Sequence, residues 1–260
     1  MSCTSPKPHM HVIKQLSIDR TNWFLAKKYK LLRKVIKKPE AQFIFYPKDD
    51  FQQMILYFKT VLASKELRIY IASYLEEGSD SVPPGFGNLL TLIFVPIADT
   101  DTELAYYTIS PYEKFDPKKS ELKEKVKNDW IKNYHDNKLL ALKDTIDLKD
   151  PCNFDKKANE VSDTKSICYE TDNIFELTQE MDCQEGTSGI KAYFASYTDK
   201  GGNKGKCKNR LIIQFRLTER IGNQDVDFYI DDRDGYGQRP DHGGLTVHDF
   251  DTGNLCPPKC

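Results

Sequence analysis

FIFYPKDDFQQMILYFKTVLASKELRIYIASY (43–74) aligns without a gap on SICYETDNIFELTQEMDCQEGTSGIKAYFASY (166–197). Ile44, Tyr46, Asp49, Tyr70, Ala72, Ser73 and Tyr74 recur as Ile167, Tyr169, Asp172, Tyr193, Ala195, Ser196 and Tyr197. After a loop of variable length the match resumes, with Asn88, Leu90, Leu92 and Phe94 corresponding to Asn209, Leu211, Ile213 and Phe215. The change in length falls in a loop, where extra residues cost little closure entropy. Recurrence of this kind points to a duplicated structural unit.

Each copy reads as a strand, a helix and a strand hairpin. FIFY (43–46) is short, apolar and aromatic, as a strand should be. Asp49 or Asp50 is placed to cap the next helix. Phe51, Met54, Phe58 and Val61 share one helical face, as Ile174, Leu177 and Met181 do in the second copy. LRIYIASY (67–74) and IKAYFASY (190–197) lead through turns rich in Gly, or Gly and Pro, to return strands LLTLIFVPI (89–97) and LIIQFRL (211–217). A third strand is expected at LAYYTI (104–109) and at VDFYI (226–230).

A helix precedes each copy. In TNWFLAKKYKLLRKVIKK (21–38), Leu25, Tyr29, Leu32 and Ile36 form a stripe; ELKEKVKNDWIKNYHDNKLLALKDTI (121–146) is longer and highly charged. Trp23 and Trp130, one on each, are expected as core anchors. SPYEKFDPKKSE (110–121) is polar and contains Pro111 and Pro117, so it reads as a linker. Residues 147–165 have no counterpart and read as an inserted loop. Apolar faces of helix and sheet must cover each other. The expected fold is therefore α+β, in two related halves, each with helices on a small, mainly antiparallel sheet. The first unit is placed at 1–112, the second at 113–230, and a Gly/Asp/Pro-rich tail at 231–260.

A net charge of −1 gives no bulk attraction to polyanions. One local exception is the run Arg20, Lys27, Lys28, Lys30, Arg33, Lys34, Lys37 and Lys38, which could dock on nucleic acid or form an ordinary solvated face. No apolar run reaches the roughly 20 residues a membrane helix needs, and the N-terminus lacks the apolar core of a secretory signal. Seven cysteines without an export signal are then expected as reduced thiols in a cytoplasmic protein.

The tail, DDRDGYGQRPDHGGLTVHDFDTGNLCPPKC (231–260), is where special chemistry is expected. Cys256 and Cys260, with His248 and His242 upstream, are a possible zinc set, although the spacing fits no standard structural pattern. The other reading is a recognition peptide comprising Asp251, Asn254, Leu255, Cys256, Pro257, Pro258 and Cys260, held extended by its prolines. Elsewhere, GGNKGKCKNR (201–210) lacks the spacing of a phosphate loop, and Asp231, Asp232, Asp234 and Gly235 lack the remaining ligands of a calcium loop. No hydrolase or metalloprotease motif occurs.

The Trp-Ile-x-x-Tyr helix (Trp130, Ile131, Tyr134), the SICYETDNIFEL segment, GIKAYFASY and the ending FDTGNLCPPKC come in an order that resembles a group of small bacterial proteins from Bacteroidota that finish in Cys-Pro-Pro-x-Cys. The likeness covers roughly residues 125–260, with residues 20–110 as a degenerate first copy. That group has no established activity, so the resemblance implies a fold and no function. Together these readings predict a cytoplasmic, non-catalytic protein-interaction module with a C-terminal recognition tail and no cofactor. Thiol- or metal-dependent activity at the terminal cysteines is the alternative, and nucleic-acid binding through the basic helix a further one.

Overall fold

The computed structural model describes residues 11–79, 81–98, 101–110, 113–146, 154–155, 160–161, 163–198, 209–227, 246–250 and 254–255. The chain enters through β1 (His11–Ile13) and a long helix made of α1 (Lys14–Phe24), a π-helical turn at Leu25–Tyr29 and α2 (Lys30–Ile36). The first aligned segment supplies β2 (Phe43–Pro47), α3 (Lys48–Thr60) and β3 (Glu66–Ser73), and β4 (Leu90–Ile97) returns. A second interrupted helix follows: α4 (Glu124–Asn133), a π-helical turn at Tyr134–Leu139 and α5 (Leu140–Leu142). After the short β5 (Phe154–Asp155) and β6 (Glu160–Val161), the second segment gives β7 (Ser166–Glu170), α6 (Thr171–Cys183) and β8 (Thr187–Ser196). The chain closes with β9 (Leu211–Ile221), β10 (Gln224–Asp227), β11 (Thr246–Phe250) and β12 (Asn254–Leu255).

The fold is α+β, with antiparallel sheets. Both aligned segments follow the order strand, helix, strand, and both helices are 13 residues long. The pairing between segments is reciprocal. β2 does not join β3; it pairs with β8, Phe43 opposite Tyr193. β7 does not join β8; it pairs with β3, Ile167 opposite Ile69. One sheet runs β1-β11-β9-β8-β2, with β10 also on β9, and the other runs β12-β7-β3-β4. Sheet membership therefore crosses the expected boundary at residue 112. The chain after residue 230 is built into both sheets through β11 and β12.

One core lies between the sheets. Phe51 touches Phe94 and Phe215, with ring centroids 6.4 and 5.9 Å apart, and Tyr46 and Tyr169 close the cluster against Phe94 and Phe215 at 5.5 and 6.0 Å. Phe58 and Met181 are fully buried, as the helical faces require. Side chains from both segments fill the same volume, so neither has a complete core of its own.

Several local expectations are corrected. The helix α3 begins at Lys48 after Pro47, with no side-chain cap, and Asp50 instead accepts the Phe115 amide at 2.9 Å. That bond draws in the supposed linker: Phe115 is buried against Tyr57 and Tyr107. Val61 lies past the helix end and is 64% exposed. The stretch 104–109 forms no continuous strand and touches β4 through single bridges, Phe94 to Tyr107 being one. On the first long helix the π turn rotates the stripe, so Phe24, Lys28 and Leu32 are buried rather than Leu25 and Tyr29. Trp130 is an anchor at 1% exposure, whereas Trp23 is only half-buried.

Candidate functional site

Each long helix crosses a sheet built mainly from the other segment, and two buried ion pairs fix the crossings. Lys28, in the first π turn, meets Asp163 at 2.5 Å with both side chains wholly buried. Asp163 also accepts the amides of Thr164 and Leu211 at 2.8 and 2.7 Å. Lys138, in the second π turn, meets Glu40, which accepts the amides of Ala41 and Leu90 at 2.9 and 2.7 Å. Leu90 and Leu211 are aligned positions, so the two carboxylates occupy corresponding places beside the two aligned segments. Burial pushes the Lys138 ammonium down, and Glu40 opposes that shift without cancelling it. A buried charge is tolerable only when paired and hydrogen-bonded. Each carboxylate meets that condition while tying a helix to the start of a return strand.

The outer faces of the sheets carry a second matched pair of clusters. On β3, the Tyr70 hydroxyl donates to Glu103 at 2.6 Å, and Arg68 and Lys127 reach the same carboxylate at 3.4 and 3.2 Å. On β8, Tyr193 donates to Asp227 at 2.9 Å, and Lys191 and Arg216 reach it at 3.1 and 3.3 Å. Burial, then the bond to Glu103, pushes the Tyr70 hydroxyl up to about 12. Burial alone would raise Glu103, but Tyr70, Lys127 and Arg68 together hold its carboxyl below the ordinary value. Such a phenol is a poor base at neutral pH, and its carboxylate is neutralised by cations already in place. Lys127 ties the first cluster to α4, and Arg216 ties the second to Ser17 and Thr21 of α1.

A cleft of about 620 Å³ opens beside Trp130. Its floor includes Tyr74, whose ring meets the indole edge-on at 4.7 Å, and its walls include Pro83, Pro84, Thr108, Lys119 and Glu121. The loop bearing the prolines is held by Glu77, which accepts the amides of Gly85 and Gly87 at 2.7 and 2.9 Å. Those two bonds draw the Glu77 carboxyl below its usual range. At Gly87 a Cβ would lie 2.5 Å from the Glu77 backbone nitrogen, so only glycine fits that approach.

The sheet edges differ. β12 lies against β7, Asn254 opposite Cys168 and Leu255 opposite Ile167. β2 holds the corresponding place in the other sheet, and among the described residues no strand covers its outer side. The Phe194 amide donates to the Gln42 carbonyl at 3.0 Å. Alternation along an antiparallel ladder then turns Ile44 and Tyr46 toward β8 and leaves the amides of Phe43 and Phe45 on the open side. Phe43 is 39% exposed.

Of the residues singled out in the tail, Asn254 and Leu255 form β12, so their backbone is engaged with β7. His248 lies in β11, between β1 and β9 in the sheet order. Asp251, Cys256, Pro257, Pro258, Cys260 and His242 lie outside the described residues, and with them all of the suggested zinc set but His248. Among the described residues no group of three metal-ligating side chains occurs. Cys168 and Cys183 are each engaged in a disulfide bond, so the expectation of reduced thiols fails at those two positions. Disulfides persist in oxidising compartments, which removes the thiol argument for a cytoplasmic location. The basic helix is also revised: Lys28 is buried against Asp163, and Arg20 is buried with its guanidinium 5.0 Å from the Tyr197 ring centre. Lys30, Arg33, Lys34 and Lys37 stay exposed. Among the described residues no helix is long and apolar enough to cross a membrane.

Two features escaped sequence reading. Glu40 and Asp163 precede the aligned stretches and differ in side-chain length, and the open edge of β2 depends on a pairing that local patterns do not encode. The signal available for the first was an acid just ahead of each copy's first strand. No family model, curated protein sequence or solved structure matches the chain.

Proposed function

We propose that this chain is a duplicated, strand-exchanged scaffold acting as a non-catalytic protein-interaction module that receives an extended segment on the edge of β2. The single observation carrying this reading is the contrast between the edges: β7 already holds an extended piece of the chain, and β2 presents the same backbone pattern with no strand on it among the described residues. Strand addition gains affinity from main-chain hydrogen bonds and specificity from alternate side chains. The matched carboxylates Glu40 and Asp163 support the duplication, and the reciprocal exchange gives the edge a rigid base in the shared core. In this reading the segment around Asn254 and Leu255 serves the module from within, by filling one edge. Amide exchange tests it: Phe43 and Phe45 should exchange rapidly in the isolated protein while Ile44 and Tyr46 are protected. Equal protection at all four, unchanged on dilution, would close the edge and end this reading.

A second reading is favoured by the exposed cations of α2. Lys30, Arg33, Lys34 and Lys37 have no ion pair among the described residues, which suits contact with a polyanion. Binding to a nucleic-acid oligomer that weakens steeply with salt, and is lost in Lys30→Glu/Lys34→Glu, would establish it.

A further inference from the structure

We propose that the occupant of the β2 edge is β2 of a second copy of this chain, paired antiparallel about Phe45 so that the two β2-bearing sheets become continuous. The inference rests on the open edge described above and names its partner.

The first argument is self-complementarity. The outward positions are Phe43, Phe45 and Pro47, an odd set centred on Phe45. About a two-fold axis there, Phe45 of each copy donates to Phe45 of the other. The Phe43 amide then meets the Pro47 carbonyl. Pro47 is the outward residue without an amide, and it ends the strand, so every outward donor finds an acceptor.

The second argument is charge. A two-fold contact brings two copies of the same strand side by side, so a strand of one charge sign repels its own copy; lysines on edge strands normally serve that purpose. Phe43, Ile44, Phe45, Tyr46 and Pro47 carry no charge. The nearest cations are already engaged: Lys48 pairs with Asp182 at 3.1 Å, and Lys191 pairs with Asp227 at 3.1 Å. Lys191 also lies 4.8 Å from the centre of the Phe43 ring.

The third argument is rigidity. Phe45 is fixed by Gly189 on β8, where a Cβ would stand 2.6 Å from the Phe45 ring. Tyr46 beneath it is buried in the core. The edge is therefore presented in extended form before any partner arrives, which lowers the ordering cost of association.

The test is sedimentation of the full chain across a concentration series, with amide exchange at Phe45 measured in parallel. The expected result is a monomer–dimer equilibrium, with Phe45 exchange slowing at least tenfold as dimer forms. Phe43→Lys should shift the midpoint to at least tenfold higher concentration while keeping the monomer's far-ultraviolet circular dichroism. Phe43→Tyr, which adds no charge, should keep the dimer. A chain that stays monomeric with fast Phe45 exchange would overturn the second copy as occupant and leave the open edge standing. Phe45 protection independent of concentration would overturn both. A dimer unaffected by Phe43→Lys would place the contact elsewhere and overturn this inference alone.

Discussion

Two helices dock on two sheets through corresponding contacts, and not all of the contacts keep their chemistry. The buried lysine–carboxylate pair is present at both, as Lys138 with Glu40 and Lys28 with Asp163. The stack on the last tyrosine of the hairpin strand is not kept: Trp130 lies on Tyr74, and Arg20 lies on Tyr197. The bond to the loop asparagine also changes hands, from Asn133 on Asn88 to Trp23 on Asn209. Those asparagines share a left-handed backbone, at φ 61° and 66°. The comparison separates what the architecture demands from what it tolerates. An acid that satisfies two backbone amides and a buried ammonium has no substitute nearby, whereas the stack needs only a broad flat group.

The largest expected effects lie where the two segments share volume. Phe94→Ala and Phe215→Ala should each cost about 3–5 kcal/mol, as for other buried aromatics. Both rings touch Phe51, so the double variant should depart from additivity. Chemical denaturation of the two singles and the double measures this. Two independent transitions would mean that each half has its own core and would break the comparison at its base.

Next come the ion pairs. Lys28→Met and Lys138→Met each leave a buried carboxylate without its cation, a change that costs about 3 kcal/mol or more. Thermal unfolding should show losses of similar size at the two sites. A large loss at one and none at the other would mean that the carboxylates hold only a positional likeness.

The sequence made the elements legible because each announces itself locally. β-Branched and aromatic runs marked both hairpins, and Phe51, Met54 and Phe58 marked the buried face of α3. Pairing is different. FIFY says that it is a strand but not which strand it joins, since β3 and β8 offer the same apolar pattern from the same repeated stretch. Strand exchange was therefore invisible, and with it the open edge. The buried lysines were hidden for a related reason. Lys28 and Lys138 sit in charged runs, and only the π turns carry them inward. The Gly/Asp/Pro-rich composition of the tail does not announce strands, yet β11 and β12 gain partners in both sheets.

A change of opposite sign comes from Gln214. It is fully buried, and neither its amide nitrogen nor its oxygen has a hydrogen-bond partner among the described residues. It stands opposite Tyr193, just as Ile93 stands opposite Tyr70. An unsatisfied buried polar group costs about 1–3 kcal/mol. Gln214→Ile, which copies the other sheet, should therefore raise stability by about 1 kcal/mol in denaturant unfolding. A loss of that size instead would mean that water or a ligand serves the amide in solution.

The smallest effect sharpens the contrast between the edges. The Ile71 amide donates to the Lys165 carbonyl at 3.0 Å, so alternation turns the amide of Cys168 away from β3 and toward Asn254. Asn254→Pro removes the donor of that residue and disfavours the pairing. A two-residue strand contributes little, so the loss should be within about 1 kcal/mol, the value of a single net hydrogen bond. Exchange at the Cys168 amide, however, should rise toward the rate of Phe45, its counterpart on β2, while β3 and β4 keep their protection. The β7 edge would then behave as the β2 edge does. If Cys168 stays protected, something other than β12 covers that edge, and the difference between the two strands does not come from the C-terminal segment.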